Sequence, residues 1–249
     1  MLSVLMLSML PHLINDAATQ PEPPAVEAHS TPWNDGDPGD WTVQRVGGDT
    51  DAMVEHREGS YFFDDRMSIT TPLPEGYPAP TPPGAIELKR YPTVRRAEVT
   101  GQSPADIGMN IGFFPLFRHI QRRNIAMTSP VEMDYHADTD QATPPRWTMS
   151  FLYRTADLGE TGRDGTVAVV DAPAVTVLSI GFRGAYSRTR MEHALRELES
   201  WLETHPEWEV TGSPRALYYN GPEKRNPDKW GEAQLPVRLR SEAHPPAKS

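Results

Sequence analysis

The chain has 249 residues, enough for one good-sized core with length to spare, yet only 37% of them are hydrophobic and 26 are proline, so part of it is expected to lie outside any packed core. There is no cysteine, which excludes disulfides, thiolate metal sites, iron–sulfur clusters and any haem held through sulfur. The net charge of −10 resides in the first third, where residues 1–86 hold 13 acidic and 3 basic side chains against 21 of each in residues 87–249, and this acidity disfavours general nucleic-acid binding.

The opening run MLSVLMLSML is too short to span a bilayer but suits the core of a signal peptide, making residues 1–18 a candidate for one. Cleavage there implies a periplasmic or secreted protein; without it the chain is cytoplasmic. No stretch predicts a stable membrane span. Residues 19–85 read as an acidic, Pro-rich extension. Within it, WTVQRV, SYFF and MSIT are strand-like pieces that suit an edge hairpin docked on a domain or a loosely ordered segment. Prolines 72, 74, 78, 80, 82 and 83 then predict an extended, polyproline-like stretch, after which a domain is expected to begin at residue 86 and run to 241, leaving 242–249 as a tail.

From Ile86 the pattern becomes regular. IELKRYP and TVRRAEV predict two strands separated at Pro92. Ser103-Pro104 then opens a helix, and Pro115 inside that helix is expected to kink or split it. IAMTSPVEMDYH and RWTMSFLYR read as two more strands, the second placing Trp147, Met149, Phe151 and Tyr153 on one face. The same order returns after a Gly-rich, charged loop. TVAVVDAP and AVTVLSIGF precede a helix over 189–204, with Thr189 and Glu192 as a capping box and Met191, Ala194, Leu195, Leu198, Trp201 and Leu202 as its apolar stripe. WEVTGSPRALYYN and LPVRLR close the series. The fold class is therefore α+β, a doubled β-β-α-β-β unit. Such a doubled unit predicts a pseudo-two-fold sheet or open barrel with two helices, and clefts between helix and sheet where small apolar ligands bind.

Several of these segments, met in this order, resemble the SOUL haem-binding family. IAMTSPVEM (residues 125–133) is nearly identical to that family's signature. IELKRYPTVRRAEV, GFFPLFRHI, WTMSF and the late YNGP agree with it in order and spacing, over about residues 86–241. The resemblance implies a distorted eight-stranded antiparallel barrel with two helices, and haem bound non-covalently in an apolar cleft along the first helix. It departs from the family at Arg90, which aligns with a histidine proposed elsewhere as axial ligand; arginine stays protonated and cannot bind iron.

A protein holding haem without strong ligation needs aromatic and Met side chains on a wall and Arg or Lys at the rim. The candidates for that role are Met109, Phe113, Phe114 and Phe117, with Arg90, Arg118 and Tyr219 at the edge and His119 as the metal ligand. Haem or a related porphyrin is the expected partner. Two other readings stay open: a sensor-type module for a different amphipathic small molecule and, ranked last, an enzyme acting on tetrapyrroles or strained small rings through Glu132 and a tyrosine. No nucleophile elbow, P-loop, dinucleotide fingerprint or zinc-protease motif is present, so no enzyme is predicted; Glu132 is a strand carboxylate without an evident partner in sequence.

Overall fold

From Ala85 onward, apolar and polar side chains alternate at period two, so each strand carries one greasy face and one polar face. The computed structural model describes residues 42–102, 105–136 and 146–240. Its elements run β1 (Val43–Gly48), β2 (Glu55–Arg57), β3 (Ser60–Phe63), β4 (Met67–Ile69), β5 (Ala85–Tyr91), β6 (Val94–Gln102), α1 (Ala105–Arg122), β7 (Val131–His136) and β8 (Arg146–Leu152). They continue with β9 (Gly162–Asp164), β10 (Val167–Ala172), β11 (Val175–Arg183), α2 (Arg188–Glu203), β12 (Trp208–Val210), β13 (Arg215–Tyr218), a 3-10 turn at Asn226–Asp228 and β14 (Trp230–Leu239).

The doubled unit is present, with an exchange. In the main antiparallel sheet the order is β1-β5-β11-β14-β13-β7-β8-β6-β10-β9, and β12 adds to β14. The second, third and fourth strands of each repeat stay together, while the first strand of each (β5 and β10) crosses to the other repeat. The pseudo-two-fold axis therefore falls between β13 and β7. The end strands do not meet, so the expected barrel is corrected to a large open sheet. A closed eight-stranded barrel would need β5 and β10 to pair, and each is instead already flanked on both sides.

Both helices cover one face, and a single apolar core joins them to it. Leu116 and Ile120 of α1 and Met191, Ala194 and Leu198 of α2 pack with Met149, Phe151, Leu178, Ile180 and Ala233 of the strands. Helix α1 continues through Pro115 as one element, so Pro115 does not split it. It approaches β8 closely: a Cβ on Gly112 would lie 3.0 Å from the ring of Trp147 and 3.2 Å from Met149. Helix α2 is capped by Ser187, whose hydroxyl accepts from the Arg190 amide at 3.3 Å, rather than by the predicted Thr189 box. Its apolar stripe is as expected. The segment 125–130, read as part of a strand, is irregular, and β7 begins only at Val131.

The domain boundary also moves. Residues 43–84 belong to the fold rather than to an extension outside it. Strand β1 pairs with β5 as the sheet's edge, β2–β4 form a small second sheet, and residues 71–84 strap the helix-free face. Thr81, within this strap, is fully buried, its amide donating to Glu232 at 2.7 Å and its hydroxyl meeting Ser179 at 3.2 Å. A Cβ on Gly181 would lie 2.3 Å from the carbonyl oxygens of both Thr81 and Pro82, so only glycine lets the strap cross β11 this closely. The signal-peptide candidate, the tail beyond 240, the Ser103-Pro104 helix start and the side chain of Met109 lie outside what the structure describes.

Candidate functional site

A shallow groove of about 550 Å³ lies along the outer side of α1. One wall is helical, with Phe114, Pro115, Arg118 and Arg122. The other is the tight turn joining β9 to β10, from Asp164 to Val167. That turn is a two-residue hairpin loop in which Asp164 pairs with Val167 and Gly165 adopts φ 63°, a left-handed conformation that glycine takes without strain. Phe114 is 50% exposed and Ile111, three residues earlier, 55% exposed, so an apolar strip of α1 faces out beside the groove. Its volume falls within roughly 300–1,000 Å³, the usual range for small-molecule sites, and its walls carry three apolar side chains and three charged ones.

The charges are arranged unequally. Asp164 Oδ2 accepts from Arg122 Nη2 at 3.1 Å, lies 3.6 Å from Arg123 Nη2, and meets His119 Nδ1 at 2.9 Å. The His119 hydrogen bond, followed by Arg122, holds the Asp164 carboxyl below the usual carboxylate range against the opposing effect of desolvation. Arg118 has no hydrogen-bond or ion-pair partner among the described residues and is exposed.

Of the eight side chains singled out from the sequence, the structure brings two, Phe114 and Arg118, to this groove. Phe113 and Phe117 are half-buried toward the sheet, stacked on one another at 5.8 Å, with Phe113 edge-on to Phe151 at 5.1 Å; they support the helix rather than line the groove. Arg90 is corrected: five strands separate β5 from β6, and β5 lies in the half of the sheet under α2. Tyr219 is corrected: its ring is buried on the helix-free face and its hydroxyl donates to Glu232 Oε1 at 2.6 Å. His119 as an iron ligand is corrected too. It is fully buried, and both ring nitrogens are engaged, Nδ1 with Asp164 and Nε2 with the Tyr153 hydroxyl at 2.9 Å. The β9–β10 turn was missed, although the Asp164-Gly165 pair is a standard hairpin signal. Among the described residues no group of three or more His, Asp or Glu is placed to hold a metal, and no helix is long and apolar enough to cross a membrane.

The family described as SOUL heme-binding protein matches residues 77–229, well over half of the chain. The chain belongs to this SOUL family, which is a family of binding proteins. A search among curated proteins finds no match. Among solved structures the EcmrR C-terminal domain is 19% identical with a TM-score of 0.51, covering 62% of this chain and 98% of its own. An EcmrR–DNA complex gives 19% identity and a TM-score of 0.53 over 62% of this chain and 57% of its own. A hydrolase from Listeria innocua reaches 16% identity and a TM-score of 0.47, over 64% of this chain and 94% of its own. At these identities the first two speak for the fold alone.

The helix-free face of the SOUL domain carries a polar row, buried over most of its length and exposed at its Thr100 end. Read across the strands in register, it runs Glu87, Ser179, Gln234, Arg215, Asp134, Thr148 and Thr100. Two residues along β7 from Asp134, and so on the same face, Glu132 is buried between Arg215 Nη1 and Arg96 Nη1, the latter at 3.2 Å. Two guanidinium groups thus already neutralise Glu132, which leaves it no spare charge for a cationic guest.

Asp134, 3.4 Å from Arg96, is pushed up to about 6 by burial first and by Glu132 second, against the pull of Arg96 and Arg215. Because its folded pKa exceeds its unfolded one, the native advantage it gives at low pH is lost as pH rises through about 6. Asp134→Asn is therefore expected to stabilise the protein by about 1 kcal/mol at pH 7 and to leave it unchanged at pH 4, as read by urea denaturation. Equal stability of the two proteins at pH 7 would refute this assignment.

Proposed function

We propose that this SOUL protein carries or buffers haem or a related tetrapyrrole, held non-covalently along the outer side of α1. One observation bears the most weight: a groove with Phe114, Pro115 and Val167 on its walls ends at Arg118, which has no partner among the described residues. A flat tetrapyrrole offers apolar faces for the wall and carboxylate tails for Arg118, a charge-assisted contact. Among the described residues the groove offers no iron ligand, since His119 is locked from both sides. Binding is then apolar and electrostatic, and the protein acts as a carrier rather than a catalyst. With residues 1–18 read as a signal peptide, that role belongs in the periplasm or outside the cell.

Titration with haemin tests the reading through its Soret band. The band is expected to shift on binding, to the same position in His119→Gln as in the parent protein. Phe114→Ala and Arg118→Gln are each expected to weaken binding about five- to tenfold. A spectrum identical to free haemin at every protein excess would end the proposal.

The locked histidine also favours a second reading, a sensor-type module for another flat amphipathic acid. A groove that makes no metal bond does not require a metal in its guest. Native mass spectrometry of protein isolated from its own host separates the two readings by the mass that co-purifies.

A further inference from the structure

Arg118 and Arg122 stand four residues apart on α1, one turn or about 6 Å along the axis, and both face the groove. Their situations differ. Arg118 is unpaired among the described residues, whereas Arg122 is already held by Asp164 from the opposite wall. Asp164 is not free to swing aside. His119 grips it from behind, itself fixed by Tyr153, and the tight β9–β10 turn fixes its backbone.

We infer that Asp164 is an internal rival for the groove's second arginine, occupying the place of a guest's second carboxylate and so setting selectivity between guests with one and with two such groups. The inference rests on the groove being the tetrapyrrole site. A first carboxylate meets Arg118 at no cost to existing contacts. A second must displace Asp164 from Arg122 and lie beside a like charge. Two carboxylates on the guest are therefore expected to give little advantage over one, although the groove end carries two arginines in reach.

Protoporphyrin IX and its monomethyl ester, followed by quenching of protein fluorescence, read this directly. In the parent protein their dissociation constants are expected to agree within about twofold. In Asp164→Asn, where the amide still accepts from His119 but no longer competes as an anion, the diacid is expected to bind about three- to tenfold tighter than the monoester. Adding Arg122→Gln to Asp164→Asn should close that gap again. Arg122→Gln alone guards against a fold defect in the Asp164 variant, and should leave the diacid-to-monoester ratio near one. A ratio unmoved by Asp164→Asn, or a selective loss of the diacid in Arg122→Gln alone, overturns the inference while the tetrapyrrole site stands. Absence of quenching by either porphyrin overturns the site and the inference together.

Discussion

Replacing Lys89 with methionine is expected to cost about 3–5 kcal/mol of folding stability at pH 7, because it strands a buried carboxylate. Lys89 and Glu232 are both fully buried, with Lys89 Nζ 3.1 Å and 3.2 Å from the two carboxylate oxygens. Glu232 also accepts from the Thr81 amide, the Tyr219 hydroxyl, the Ser179 hydroxyl and the Gln234 amide, at 2.6–2.7 Å. Burial alone pushes such a carboxyl up. Lys89 and the hydrogen bonds outweigh it and hold Glu232 below the usual range. A depressed folded pKa gives stability that is present above the unfolded value and lost as pH falls through the folded one.

Without Lys89 the balance reverses. Burial then dominates, the folded pKa rises above the unfolded one, and Lys89→Met should regain stability as pH drops from 7 toward 5 while the parent protein does not. The double variant with Glu232→Gln should recover part of the loss at pH 7, since a neutral amide needs no counter-charge. Urea denaturation at both pH values checks this. A loss under 1 kcal/mol at pH 7 would mean that the four hydrogen bonds alone sustain the ionised carboxylate.

The consequence reaches past one ion pair. Glu232 is the point at which the strap, β5, β11, β13 and β14 converge, and Thr81 is tied to it by its backbone. The strap is why residues 43–84 belong to the domain although their composition reads as an extension. Six prolines in residues 72–83 remove backbone donors and forbid regular pairing, which is the sequence signature of a linker. Pro78, Pro80 and Pro82 are nonetheless buried, because an extended segment lying across a sheet needs few donors if Thr81 supplies the crucial ones. Nothing local to that stretch announces the partner 151 residues away.

The repeated half of the fold was legible because each element carries its own period. The alternation of Trp147, Met149 and Phe151 and the stripe of Met191, Ala194 and Leu198 appear in the structure as drawn from the sequence. What period does not encode is strand exchange. Nothing in β5 says that its neighbour is β11 rather than its own hairpin partner β6, and this non-local choice is what keeps the sheet open and carries Arg90 away from α1. The site was half legible for the same reason. Phe114 and Arg118 share a helix face and can be read from spacing, but Asp164 joins them through the pairing of β10 with β6, a contact across 70 residues. His119 misled because an isolated histidine beside an apolar stripe looks alike whether it is free or locked. Its partners, Tyr153 and Asp164, lie 34 and 45 residues on.

Arg215→Met is expected to cost about 3 kcal/mol at pH 7, and clearly less at pH 5. Arg215 donates to Glu132 and, through Nε at 2.8 Å, to Gln234, and its guanidinium lies 4.9 Å over the Tyr91 ring. Removing it leaves two carboxylates, Glu132 and Asp134, to share Arg96. They already interact: burial first and Glu132 second push Asp134 up to about 6. With Arg215 gone, one of the cations that hold Asp134 down is lost, so Asp134 should take up its proton at higher pH, and at pH 5 most of the loss should disappear. Arg96→Met removes the same formal charge from the same pair. Its side chain is more exposed, 16% against 9%, and water can replace part of its contribution, so about 1 kcal/mol is expected. Equal losses in the two variants would mean that charge balance alone governs this face. A larger, pH-dependent loss for Arg215 would identify burial as the deciding factor, with the buried guanidinium as the group that lets two acidic side chains sit on the inner strands of the sheet.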